Sequence, residues 1–170
     1  MLWRPAYVGI GSNLDEPAIQ VRRALAALPE LPQTRLVLNS TLYGSKPLGP
    51  AAQPDFVNAV AALLTQLEAP AFFQALRALE VALGREPPRV SWGPRRIDLD
   101  LLVFGAQRLA SADLTLPHPG IVQRNFVLYP LLEVAPELNV PGCGRVAELA
   151  ARADCAGIWR LDGNPITHGA

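Results

Sequence analysis

The sequence predicts an α+β fold in which an antiparallel sheet carries helices on its faces. Four segments have the apolar, β-branched sequence of strands, and two segments repeat apolar residues with helical spacing. Up to Gly105 these segments follow the order β-α-β-β-α-β, which is that of the ferredoxin-like fold. No repeat or linker appears, so we expect residues 1–170 to form a single domain with a C-terminal extension.

The first half of this core begins with a strand at residues 7–10. A helix is expected to begin near Pro17, because proline is favoured in a first helical turn and the acidic Asp15 precedes it. Pro29 ends that helix. Residues 36–43 alternate and are rich in β-forming residues, so they are predicted to be the second strand.

The second half of the core is bounded by two loops. Residues 44–55 contain too many prolines and glycines for regular structure, and they form either an ordinary connection or a loop that covers a substrate. Residues 56–64 are predicted to be a strand and residues 71–83 a helix, which ends at Gly84. Residues 85–91 form a second polar loop that leads into the last core strand.

The C-terminal extension contains shorter elements. Residues 114–120 are predicted to form a short strand and a turn. Residues 123–132 are predicted to be helical, with Pro130 as an irregularity. We expect a short helix at residues 146–151 and a short strand at residues 158–161.

The last core strand carries a pair of aspartates in an apolar run, Asp98 and Asp100. Residues two apart on a strand share a face, where two carboxylates repel each other and lose hydration. Magnesium relieves both costs, and the preceding Arg95 and Arg96 suit phosphate. This pattern predicts a magnesium–polyphosphate site; the alternative is a solvent-facing pair, or ion pairs with the two arginines.

An aromatic residue and an amide also share a strand face, at Phe56 and Asn58. Together they offer a stacking surface and an edge reader for a flat heterocycle, although a strand phenylalanine is usually part of the core. His118 is either a ligand or a surface turn residue, and Arg124 with Phe126 either contacts a ligand or begins an amphipathic helix.

Composition excludes several functional classes. With 15 basic and 15 acidic residues, the chain has no global field for nucleic acid or an anionic membrane. There is no P-loop motif, so arginines and magnesium must hold any phosphates. The sequence has no signal-peptide layout and no apolar run of membrane length, so we expect a cytoplasmic protein. We also expect Cys143 and Cys155 to be free thiols rather than a disulfide.

Four sequence blocks together carry a resemblance to a known family. They are "YVGIGSNL", "SKPLGPAAQPDFVNAV", "LEVALGREPPRVSWGPRRIDLDLLVFG" and "LTLPHPGIVQRNFVLYPLLEVAPEL", within residues 7–138. The sequence resembles the 6-hydroxymethyl-7,8-dihydropterin pyrophosphokinases of folate biosynthesis. The resemblance implies an enzyme that transfers pyrophosphate from ATP to the pterin hydroxymethyl group and releases AMP.

The resemblance also implies roles for individual residues. Asp98 and Asp100 match aspartates that hold two magnesium ions, and the catalytic set is completed by Arg85 and Arg95. The residues implied for the pterin are Ser45, Lys46, Leu48, Phe56, Asn58 and Phe126. The residues implied for ATP are Glu80, Arg85, Trp92, Arg95, Thr115, His118 and Arg124. Small-molecule partners and a monomer are expected, with the loops 44–55 and 85–91 closing over the substrates.

Three positions depart from the family pattern. Pro87 stands where many relatives have a second basic loop residue, which Arg89 could replace. Asp113 stands where some relatives have an arginine near the adenosine, and Gly120 replaces an arginine of many bacterial members. We expect these changes to affect loop motion and ATP affinity rather than the metal pair.

Two other functions are compatible with the residues alone. One is a magnesium-dependent nucleotidyl transferase, which would release pyrophosphate rather than AMP. The other is a ferredoxin-like module that binds ligands without turnover. Product analysis separates the first from a pyrophosphokinase, and loss of activity on replacing Asp98 excludes the second.

Overall fold

A six-stranded antiparallel sheet is the centre of the computed structural model, which describes residues 2–49, 52–85 and 94–166. The strands are β1 (Arg4–Ser12), β2 (Thr34–Asn39), β3 (Tyr43–Ser45), β4 (Phe56–Thr65), β5 (Asp98–Phe104), β6 (Leu109–Ala110), β7 (Thr115–Leu116), β8 (Asn139–Val140), β9 (Gly144–Arg145) and β10 (Ile158–Arg160). The helices are α1 (Pro17–Ala27), α2 (Ala69–Ala82), α3 (Asn125–Val134) and α4 (Val146–Ala151).

The order of the sheet is β10-β3-β4-β1-β5, and β2 pairs with the remaining part of β4. All of these pairs are antiparallel. The predicted α+β class and ferredoxin-like core are therefore confirmed, with β1 and β4 at the centre of the sheet. Two small hairpins, β6–β7 and β8–β9, were not predicted beyond the one short strand before the turn.

The predicted strand at residues 36–43 is wrong in one respect, because it is two strands. β2 pairs with the C-terminal half of β4, and β3 pairs with its N-terminal end. Ser40 lies between them, and its hydroxyl accepts a hydrogen bond from the Val60 amide at 2.9 Å. Its own amide donates to the Val60 carbonyl at 2.8 Å. A buried side chain thus replaces part of the strand ladder and lets the chain change direction.

The helices cover both faces of the sheet. On one face, α1 and α2 bury Val21, Ala24, Phe72 and Leu76 against β1, β4 and β5. On the other face, α3 packs against β3 and β4, and α4 packs against α3, in an apolar cluster that includes Leu102 of β5. β4 is covered on both sides, which explains why its sequence is almost continuously apolar rather than alternating.

The C-terminal extension returns to the sheet. Residues 146–151 are helical as predicted, while α3 lies two residues later than expected because residues 121–123 form a separate 3-10 turn. Pro130 lies inside α3 and is buried. β10 then pairs with β3, so the last described strand borders the segment that carries Ser45.

Candidate active site

The strand register places the two aspartates beside glycines of the central strand. Asp98 lies opposite Gly11 and Asp100 opposite Gly9, while Gly11 also lies opposite Asn58 on β4. A Cβ atom added to Gly11 would lie 3.4 Å from the Asn58 Oδ1 atom. The absence of side chains at Gly9 and Gly11 of β1 therefore leaves a recess between the aspartates of β5 and the amide of β4.

A single cavity occupies this recess. It is lined by the aspartate pair and by the predicted aromatic and amide residues, together with cationic side chains from three segments. The lining includes Asp98, Asp100, Phe56, Asn58, Phe126, Arg95, Arg124, Ser45, Lys46 and Leu48. The two constellations that were recognised separately in the sequence thus share one cavity.

Arginine side chains neutralise Asp98. Arg85 donates from Nη1 to Asp98 Oδ1 at 2.8 Å, and Arg95 donates from Nη1 to Asp98 Oδ2 at 3.2 Å. Arg96 instead pairs with Asp15, with its Nη2 atom 2.7 Å from Oδ2. Asp15 does not cap α1: the N-cap residue is Glu16, and it makes no side-chain capping hydrogen bond. Of the two arginines proposed as ion-pair partners, Arg95 contacts the aspartate pair and Arg96 does not.

Asp100 is partly buried in the recess, and its pKa is strongly perturbed. Burial, and then the neighbouring charge of Asp98, raise the pKa of Asp100 to about 7. A bound cation would stabilise the ionised form of a carboxylate whose pKa is raised in this way. The described residues contain no cluster of three or more His, Cys, Asp or Glu side chains that could enclose a metal. Two carboxylates nevertheless fit magnesium, which keeps water ligands and binds substrate phosphates.

Asn58 and Ser45 are held to each other at the opposite side of the cavity. The Asn58 Nδ2 group donates to Ser45 Oγ at 2.8 Å. Lys46 pairs with Asp55, with Nζ 3.3 Å from Oδ2, and its amide donates to the Gly157 carbonyl at 2.9 Å. Leu48 is 46% exposed, so its side chain is available to a ligand.

A second cavity lies on the other side of Asp100, which lines both. Its other lining residues include Arg77, Asp113, Thr115 and His118. Of the residues that the resemblance assigns to ATP, Arg95 and Arg124 line the first cavity, and Thr115 and His118 line the second. Asp100 lines both cavities. Asp113 brings a carboxylate to the second cavity.

His118 is fixed in one tautomer while it is neutral. Its Nδ1 atom accepts a hydrogen bond from the Gly120 amide at 3.0 Å, so the neutral ring carries its proton on Nε2. Burial, and then the charge of Arg124, lower the pKa of His118. His118 can therefore serve as a neutral hydrogen-bond donor.

Glu80 is buried and lines neither of the two cavities. Its side chain is 2% exposed, and it accepts hydrogen bonds from the Leu99 amide at 2.7 Å and from Arg85. Its second oxygen is 2.7 Å from Arg77 Nη1. Burial raises the pKa of Glu80 despite these partners. Its contacts reach the site through Arg85 and Leu99.

Sequence reasoning missed Asn13, which links two parts of the site. Its Oδ1 atom accepts from the Arg95 amide at 2.9 Å, and its Nδ2 group donates to Gln53 Oε1 at 2.9 Å and to the Pro54 carbonyl at 3.0 Å. The sequence signal for this role was the polar "GSN" at the end of an apolar strand. Trp92 lies outside the described residues, as do Pro87 and Arg89.

Comparison with known proteins identifies the family. The sequence model of the 7,8-dihydro-6-hydroxymethylpterin-pyrophosphokinase (HPPK) family matches residues 7–136. The chain belongs to this family. It is 50% identical over 157 residues to a Pseudomonas aeruginosa 2-amino-4-hydroxy-6-hydroxymethyldihydropteridine pyrophosphokinase, covering 92% of this chain and 96% of that protein. The Haemophilus influenzae protein of the same name is 42% identical over 144 residues, or 85% of this chain and 89% of that protein.

Solved structures agree at the level of the fold. A Plasmodium falciparum HPPK-DHPS triple mutant superposes with a TM-score of 0.69 at 13% identity, covering 88% of this chain and 43% of that chain. The wild-type P. falciparum protein with pteroate gives a TM-score of 0.68 at 13% identity over 88% of this chain. The chain thus spans less than half the length of these proteins, within a shared HPPK fold.

Family membership confirms the activity that the sequence predicted. As an HPPK, the chain transfers a pyrophosphoryl group from ATP to 6-hydroxymethyl-7,8-dihydropterin in folate biosynthesis. None of the helices in the described part of the chain combines the length and apolar character that a membrane crossing requires.

Proposed function

We propose that this pyrophosphokinase depends on two magnesium ions bound by Asp98 and Asp100, and that transfer takes place in the cavity these residues share with Phe56, Asn58 and Phe126. One observation carries the proposal. The carboxylate pair and the aromatic–amide group line the same cavity, so a phosphate chain and a flat heterocycle can meet there.

The pterin is proposed to lie between Phe56 and Phe126, which offer apolar ring surfaces for stacking. Asn58 would bind the pterin edge with its side-chain amide. The hydrogen bond from Nδ2 to Ser45 Oγ fixes the orientation of that amide. Ser45, Lys46 and Leu48 complete this side of the cavity. Partial exposure of Leu48 is consistent with a loop that closes over the substrate.

ATP is proposed to occupy both cavities, with its phosphates beside Asp100. Arg85 and Arg95 already lie against Asp98, where their guanidinium groups can bind phosphate oxygens. Thr115 and His118 line the second cavity and are assigned to the nucleotide, as is Arg124 in the first. Glu80 is proposed to act through Arg85, which it contacts. Trp92 remains a predicted nucleotide contact outside the described residues.

The transfer itself needs charge neutralisation and alignment more than covalent catalysis. The pterin hydroxyl oxygen bonds to the β-phosphorus as the bond from that phosphorus to the bridging α-phosphate oxygen breaks. AMP leaves with that oxygen, and the hydroxyl proton is released. Bound magnesium would neutralise phosphate charge and favour loss of that proton. Arg85 and Arg95 would stabilise the transferring group while Phe56 and Phe126 hold the acceptor.

Product analysis tests the proposal. ATP, the hydroxymethyl-dihydropterin and the protein are incubated with magnesium, and the products are separated by chromatography. We expect equal amounts of AMP and pterin diphosphate, no product with EDTA, and loss of most activity in Asp98→Ala. Release of pyrophosphate would indicate a nucleotidyl transferase, and binding without turnover would indicate a ligand-binding module.

Three further predictions from the sequence concern the domain organisation, the oligomeric state and the cellular location. We expect residues 1–170 to act as one domain, the protein to be a monomer and its location to be the cytoplasm. Size-exclusion chromatography coupled to light scattering tests the monomer.

A further inference from the structure

Leu99 separates the two aspartates, and its backbone is bound by side chains of α2. The Leu99 amide donates to Glu80 Oε2 at 2.7 Å, and the Leu99 carbonyl accepts from Arg77 Nη2 at 2.6 Å. Within residues 2–49, 52–85 and 94–166, β5 is the last strand on its side of the sheet. At this residue, a helix side-chain pair therefore takes the place that a neighbouring strand would occupy.

Arg77 and Glu80 form this clamp because they lie three residues apart on one helical face. Arg77 Nη1 is 2.7 Å from Glu80 Oε1, and Glu80 is buried. Arg85 contacts both Glu80 and Asp98. A continuous chain of charged hydrogen bonds thus runs from Arg77 through Glu80 and Arg85 to Asp98.

This arrangement exceeds what a strand edge needs. A neutral amide would satisfy one backbone carbonyl, whereas burying a charged pair costs desolvation that its contacts must offset. Arg77 is also stacked, with Cζ 4.8 Å from the centroid of the Phe73 ring. Arg77 lines the second cavity together with Asp100. The clamp fixes the backbone between the two carboxylates, and hence their spacing.

We propose that Arg77 is a positioning residue for the reaction: with Glu80 it holds the Leu99 backbone so that Asp98 and Asp100 are spaced to bind their cations. The inference rests on the proposed metal role of the aspartates. Arg77 acts through Leu99 and Glu80. The bonds that support a ligand are known to tune metal affinity by 10–100-fold in other sites.

Three variants test the proposal: Arg77→Gln, Arg77→Lys and, as a control, Arg22→Gln, which removes an exposed arginine of α1. Hydrogen exchange of the Leu99 amide is measured by NMR in the metal-free protein. Mn²⁺ affinity is measured by electron paramagnetic resonance with a non-hydrolysable ATP analogue. The kinetic readouts are kcat, KM for the pterin and KM for ATP.

Arg77→Gln is expected to accelerate Leu99 exchange and to weaken Mn²⁺ binding about tenfold. The value of kcat should fall by about the same factor, with KM for the pterin within about twofold, because only the metal ligands are misplaced. Arg77→Lys should recover part of both losses, since its ammonium can reach one of the two partners. Arg22→Gln should match the wild type. If Arg77→Gln fails to fold, Arg77→Lys carries the same comparison.

Faster Leu99 exchange with unchanged Mn²⁺ affinity and kcat would overturn the proposal, because the clamp would then be structural only. A rise confined to KM for ATP would also overturn it, since Arg77 would then bind the nucleotide directly. Asp98→Asn separates this inference from the proposed function. If Asp98→Asn retains Mn²⁺ affinity, the metal site fails; if it loses affinity while Arg77→Gln does not, only the clamp fails.

Discussion

The carboxylate of Asp100 lowers the stability of the metal-free protein. Its carboxylate is recessed beside that of Asp98, and its pKa is raised to about 7 by burial and by that neighbour. The residue therefore destabilises the metal-free protein when it is ionised. Such a cost is typical of functional sites, where groups are retained for activity rather than for stability.

Replacing Asp100 with Asn is expected to stabilise the metal-free protein by roughly 1–3 kcal/mol at pH 8, because the buried charge and the repulsion from Asp98 are removed. Thermal unfolding in EDTA measures this as a rise of a few degrees in Tm. The same variant should lose most pyrophosphokinase activity. A lower Tm with activity retained would show that Asp100 is a structural residue.

His118 gives a prediction about pH. Its folded-state pKa lies below the ordinary value near 6.5, so the unfolded chain binds a proton at a higher pH than the folded protein does. The contribution of His118 to stability is therefore complete above that ordinary value and is lost as the pH falls below it. Asn at this position retains an oxygen acceptor for the Gly120 amide and does not titrate.

Urea unfolding of wild type and His118→Asn between pH 8 and pH 5 measures this effect. We expect the stability of the wild type relative to the variant to decrease steadily on acidification below about 6.5. A difference that is independent of pH would contradict the lowered pKa.

Strand and helix patterns were predictable where local sequence decides them. The period-two alternation around Asp98 and Asp100 correctly gave β5, and the apolar stripe of α2 was correct because Phe72 and Leu76 face the sheet. The break between β2 and β3 was not predictable, since it depends on Ser40 meeting the Val60 amide across the sheet. Contacts between distant segments of this kind leave no local signal.

Gly44 of β3 leaves space for the side chain of Trp159, which lies on the C-terminal strand β10. A Cβ atom at this position would lie 2.3 Å from Trp159 Cε2, because the indole of β10 lies directly over Gly44 of β3. Gly44→Ala is therefore expected to destabilise the protein by about 1–3 kcal/mol through overpacking. Chemical denaturation measures the loss.

Trp159→Ala provides the control for Gly44→Ala, since it removes the group that the new methyl would strike. Gly44→Ala should cost little in that background, so the two substitutions should be non-additive by at least about 0.5 kcal/mol. Additive effects would place the strain of Gly44→Ala elsewhere.

At the scale of the whole molecule, the fold brings together residues that the sequence keeps far apart. Phe56 and Asn58 on β4 meet Asp98 and Asp100 on β5 because β1 lies between the two strands and has glycines there. Each pair was recognisable from its own spacing, but their shared cavity depends on the strand order. The role of Arg77 escaped sequence reasoning for the same reason, because it depends on how α2 docks against β5.

The central claim is that Asp98 and Asp100 bind two metal ions in the cavity that holds the pterin. The most direct measurement is an anomalous difference map from crystals grown with Mn²⁺, a non-hydrolysable ATP analogue and hydroxymethylpterin. We predict two peaks within about 2.0–2.3 Å of the Asp98 and Asp100 carboxylate oxygens, distances usual for a small divalent ion, with the pterin between Phe56 and Phe126. Peaks bound elsewhere, or a pterin outside that cavity, would contradict the account.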